Sequence, residues 1–158
     1  MTYTYKTHQI IEILQKDKCL PPGDTLELEK MSKGASARHF DSRPQLVDGP
    51  FVPMRYVGKA PELDNPETYD TSFLLASQRV RGVGYCAISR HRFRFKERVP
   101  KGWHLNVCDP NLPTNDPRQN IHHPLPDLTT TDFRDFINQT AKLWKIDLGW
   151  EWEGELFS

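Results

Sequence analysis

From Arg90 to Arg98 the chain reads Arg-His-Arg-Phe-Arg-Phe-Lys-Glu-Arg, with a cation at every second position. Along an extended strand successive side chains alternate between faces, so Arg90, Arg92, Arg94, Lys96 and Arg98 would share one side. His91, Phe93, Phe95 and Glu97 would share the other. Residues on one side lie about 6.6 to 7 Å apart, which suits successive phosphates of a single strand within the slack of the side chains. Lys101 extends the basic run. The pattern points to a polyanion, RNA or single-stranded DNA, held through phosphate. Two other readings fit the same residues: a solvated face whose arginines pair with Glu151, Glu153 and Glu155, or a surface for an acidic protein.

Histidine is the second group with chemistry to offer, because imidazole exchanges protons near neutral pH. His91 and His104 fall on the two arms of one expected hairpin, and His122 and His123 close a proline-rich segment. An imidazole beside arginines has the makings of a metal-independent ribonuclease, one group taking the 2′-hydroxyl proton and cations stabilising the phosphorane. The alternative for each histidine is structural hydrogen bonding. His104, His122, His123 and Asp109 could also converge on a metal if the loop folded back, but no spacing requires it and no metal is assigned. Arg81-Gly82-Val83-Gly84 has neither the phosphate-loop lysine nor the dinucleotide spacing, so it reads as a turn, and no cofactor is called for.

The elements that must position these residues read as an α+β domain. Ile10, Ile11, Ile13 and Leu14 give helical spacing over about 6–18, ended by Pro21-Pro22-Gly23. Thr25 to Glu29 alternates as a short strand. Ser72 to Ser77, Tyr85 to Val99 and Trp103 to Cys108 make an antiparallel meander over about 72–108, with a tight turn at Pro100-Lys101-Gly102. Two stretches rich in proline, about 41–70 and 109–126, read as long loops, the first with a brief strand at Met54 to Val57. A last helix opens with Thr130 or Thr131 as cap and Asp132 and Asp135 at its positive end. Its apolar face carries Phe133, Phe136, Ile137, Thr140, Leu143 and Trp144. N-terminal and C-terminal helices would pack on one face of the sheet. Trp150 and Trp152, among acids, would close the sheet as a terminal strand or dock a protein partner.

The 158 residues fit a single domain over 1–158, with 11% aromatic content for a packed interior. No apolar run is long enough for a membrane span, and the first residues lack a secretory core. Cys19, Cys86 and Cys108 form no close pair, which suits a reduced, cytoplasmic protein. Formal net charge is zero, yet eight basic residues and one acid lie between Arg79 and Lys101. The order of Arg-rich strand, hairpin, Pro/His loop and amphipathic helix is similar to small prokaryotic proteins associated with toxin–antitoxin loci, without a motif that carries residue roles across. The expected function is nucleic-acid binding through Arg90, Arg92, Arg94, Lys96, Arg98 and Lys101. The alternatives are a protein-interaction subunit, or a ribonuclease drawing on His91, His104, His122 or His123.

Overall fold

The computed structural model describes residues 3–31, 37–87, 90–92, 97–130 and 132–149, with the backbone alone at 90–92, 97, 98 and 117. In chain order its elements are α1 (Thr7–Gln15), β1 (Lys18–Cys19), β2 (Glu29–Lys30), β3 (Arg38–Ser42), β4 (Gln45–Leu46), β5 (Met54–Ala60), β6 (Asp70–Leu75) and β7 (Gln78–Cys86). There follow β8 (Arg90–Arg92), β9 (Glu97–Val99), β10 (Gly102–Cys108), β11 (Asn120–Pro124), α2 (Phe133–Leu143) and β12 (Ile146–Asp147). Seven strands form one antiparallel sheet in the order β11-β10-β7-β6-β5-β3-β2. β12-β1-β4 form a small second sheet, and among the described residues β8 and β9 pair only with each other. The class is α+β, as the alternating and helical periods predict.

Strand alternation divides the large sheet into two unlike faces. Tyr56 and Phe73 pair across β5 and β6, and Thr71 opposes Val83 across β6 and β7. This face meets α2, whose Phe133, Phe136, Ile137, Thr140 and Ala141 are all buried. Ring contacts knit the two layers: Tyr56 to Trp144 at 5.7 Å, Phe73 to Trp144 at 5.8 Å and Trp103 to Phe136 at 4.9 Å between centroids. The Tyr56 hydroxyl donates to the Ile137 carbonyl at 2.6 Å and also meets Thr140 Oγ1. Burying rings of this size stabilises by about 1.5 to 3 kcal/mol each. The α2 N-cap is Asp132, whose carboxylate accepts from the Asp135 amide at 2.7 Å. Thr130 instead donates to the Asp132 carbonyl, Thr131 lies outside the described residues, and Leu143 is 44% exposed.

Several expectations require correction. The stretches 41–70 and 109–126 are not continuous loops, because β4, β5 and β11 lie within them. Their prolines punctuate the strands: 44, 50, 53 and 61 fall between elements, Pro66 opens a short 3-10 turn at Pro66–Thr68, and Pro124 ends an edge strand, where a missing amide costs no ladder bond. Residues 25–28 have no regular structure, and the strand there is Glu29–Lys30. The turn expected at 81–84 lies inside β7. The chain reverses at Ala76 (φ 50°) and Ser77 (φ 63°), two left-handed residues without the Asn or Gly that usually marks such a hairpin. Trp150 and Trp152, expected to close the sheet or dock a partner, lie outside the described residues. No helix among those described is long and apolar enough to cross a membrane.

Lys18 is 1% exposed at the crossing of both helix ends. Its Nζ donates to the carbonyls of Leu14 (3.3 Å), Lys16 (2.7 Å) and Trp144 (2.7 Å), groups left open where the helices stop. Burial pulls its pKa down from 10.5 to about 8. Between those two values the unfolded chain keeps a proton that the folded chain has released, so this group makes stability rise with pH across the window. Lys18→Met should cost about 3 kcal/mol by leaving buried carbonyls without a donor. The variant should also lose the rise between pH 8 and 10.5. Denaturant unfolding of both proteins over that range checks this, and an unchanged midpoint at neutral pH contradicts it.

Candidate functional site

The sheet face turned away from α2 is polar, and glycines in β7 shape it. Gly82 sits between Ser72 of β6 and Asn106 of β10. A Cβ on Gly82 would lie 2.0 Å from Arg79 Nη2, so the glycine lets that guanidinium lie flat on the strand, where its Nε donates to Ser72 Oγ at 3.1 Å. Gly84 pairs with His104 and follows Val83, the partner of Thr71, so it lies between Asp70 and His104. Its added Cβ would meet nothing closer than His104 Nε2 at 3.6 Å, an ordinary contact. A strand glycine costs roughly 0.5 to 1 kcal/mol relative to alanine. Packing accounts for that cost at Gly58 and Gly82, and it does not at Gly84.

β10 and β11 bring two of the expected histidines together. His122 opposes Asn106, two residues along from His104, so both imidazoles occupy one face with ring centroids 5.1 Å apart in an edge-on arrangement. His104 is 6% exposed. His123 opposes Leu105 and therefore has the opposite parity. Among the described residues no group of three or more His, Cys, Asp or Glu side chains could hold a metal ion.

Over Gly84 opens a cleft of about 760 Å³, walled by Asp70, Tyr85, His104, Asn120 and His122. Glu67, Thr114, Asp116, Cys86 and Val99 also line it, Cys86 ending β7 and Val99 ending β9. Each carboxylate has a partner. Asp116 accepts from Arg118 Nε at 3.1 Å and Nη2 at 2.8 Å, which holds its pKa down to about 2. Glu67, bonded to the Tyr85 hydroxyl, pushes that phenol upward. Asp70 lies 3.7 Å from Lys59 Nζ, but burial dominates and raises its pKa, with Lys59 and Arg79 pulling the other way.

The basic run takes a different form from the single strand expected. Its backbone is a hairpin in which Arg90 opposes Val99, His91 opposes Arg98 and Arg92 opposes Glu97. Position 98 therefore has the parity of 91, not of 90 and 92, and the one-strand alternation does not describe this backbone. Arg94 and Lys96 lie outside the described residues, and Lys101 is exposed just before β10. His91 and His104 are not on arms of one hairpin, because β8 pairs with β9 and β10 pairs with β7 and β11.

Sequence reasoning missed Asp70, Arg79 and Gly84. The signal for Gly84 was present: a glycine inside a strand often marks a close approach of some other group. Chemically, the cleft offers carboxylates, imidazoles, amides and hydroxyls, with no arginine or lysine among the described residues that line it. A phosphodiester seated between the two imidazoles would face Asp70 and Glu67, a poor setting for a phosphorane.

Because the folded-state pKa of Asp70 is raised, its contribution to stability is fully present at low pH and is lost as pH rises through that pKa. Asp70→Asn should accordingly melt no lower than the parent protein at pH 7, with any advantage vanishing as the medium is made acidic enough to protonate the aspartate. A clear loss of stability at pH 7 contradicts this. The lining must be read from its own chemistry, since no family model, curated protein or solved structure matches the chain.

Proposed function

We propose that the chain binds a single-stranded nucleic acid, RNA or single-stranded DNA, along the basic β8–β9 hairpin. The observation that supports this reading is the coincidence of charge and topology. Five cations lie in the nine residues 90–98 of a chain whose net charge is zero, and among the described residues the two short strands of that span, β8 and β9, pair with each other and with no strand of the seven-stranded sheet. Phosphates neutralised along this basic segment release counterions, so affinity falls steeply as salt rises. Arg90, Arg92, Arg94, Lys96, Arg98 and Lys101 contact phosphate in this reading. Three free thiols suit the reducing cytoplasm where such a ligand is met.

Replacing Arg92 and Arg94 by Ala should weaken binding to unrelated single-stranded sequences by similar factors. It should also flatten the slope of log K against log salt by about 0.7 for each phosphate contact removed. Fluorescence anisotropy at several salt concentrations measures both. Affinity indifferent to salt, or to the two substitutions, overturns the reading.

A further inference from the structure

We propose that the cleft over Gly84 seats the base and sugar of one unstacked nucleotide while the neighbouring phosphates lie on the hairpin. This rests on the reading of the chain as a nucleic-acid binder and adds a site with its own ligand. Three observations converge on it. The first is the floor. Asp70 on β6 and His104 on β10 stand two strands apart, roughly 9 to 10 Å at the backbone, and the residue between them has no side chain. Gly84 does not take a left-handed φ, and a Cβ there would meet only His104 Nε2 at 3.6 Å and Cε1 at 3.7 Å. Neither backbone conformation nor packing demands the glycine, in contrast to Gly58, where a Cβ would lie 2.4 Å from the Phe40 ring. What the missing side chain does is leave an open slot between a carboxylate and an imidazole.

The second observation is the chemistry of the walls. Asp70 and Glu67 accept hydrogen bonds, Asn120 and Asn115 both donate and accept, and Thr68 and Thr114 add hydroxyls. Such a set matches the ring N–H groups, exocyclic amines and ribose hydroxyls of a nucleoside. A half-buried carboxylate pairs best with an edge that presents two adjacent N–H donors, which among the common bases is guanine. The third is position. Val99, the last residue of β9, lies in the cleft wall, so a strand tracking the hairpin passes the mouth of the cleft. At about 760 Å³ the space falls within the range of small-ligand sites.

The test uses free nucleosides, which carry no phosphate and so do not depend on the hairpin. Guanosine titrated into the full chain should shift the imidazole resonances of His104 and His122 saturably, and more tightly than uridine. Gly84→Ala and Gly84→Val fill the slot from a position where β structure tolerates a side chain. They should weaken guanosine at least tenfold while the melting temperature is held and the salt slope for an oligonucleotide is kept. No shift with any nucleoside, or equal shifts in the Gly84 variants, overturns the inference. If oligonucleotides bind and nucleosides do not, only the cleft assignment falls. If guanosine binds and oligonucleotides do not, the cleft stands and the hairpin reading falls.

Discussion

The wholly buried Tyr56, whose hydroxyl donates to the Ile137 carbonyl, fixes the relation between sheet and helix on which the rest of the molecule depends. A phenol in that position fills the core with its ring and satisfies a backbone acceptor with its tip, so the helix cannot slide without orphaning a polar group. Around it Phe40, Phe73, Phe133, Phe136 and Trp144 interleave. Because α2 takes that face of the sheet, residues of the opposite parity in β6, β7, β10 and β11 are left for polar groups. The pairing of Asp70, Gly84, His104 and His122 on one surface follows from two-residue alternation once the aromatic face is assigned.

The parts of this fold visible in the sequence are those with a local physical signature. α2 announces itself through Phe133, Phe136, Ile137 and Thr140 at helical spacing behind an acidic cap, and the β10 alternation is equally plain. The strands among the prolines were hidden because proline forbids a ladder bond at its own position and says little about its neighbours. The reversal at Ala76 and Ser77 carries neither Asn nor Gly, while the glycines that suggest a turn, Gly82 and Gly84, lie inside β7. The basic run was ambiguous for a different reason. Strict alternation of cation and aromatic reads equally well along one strand or folded back on itself, and only pairing of 91 with 98 separates the two. His104 and His122 could be named but not joined, since their meeting depends on the register of β10 against β11.

Charge is distributed accordingly. The excess of cations is confined to the segment around the hairpin, while the cleft at its foot holds carboxylates already partnered by Lys59, Arg118 or a tyrosine hydroxyl. The proposed ligand, a single-stranded nucleic acid, combines an anionic backbone with uncharged, donor-rich bases. In the proposed reading, the partly desolvated Asp70 and the glycine at 84 are local disadvantages that the stable core carries.

The most direct test of the account is amide chemical-shift mapping of the whole chain as a guanine-containing single-stranded RNA is added at low salt. Perturbations should gather at 84, 104, 122 and along 97–102, leaving Ile137 and Ala141 beneath the aromatic face unmoved. Shifts concentrated on α1 and α2, or none at any residue, would contradict the assignment of the ligand to the polar face.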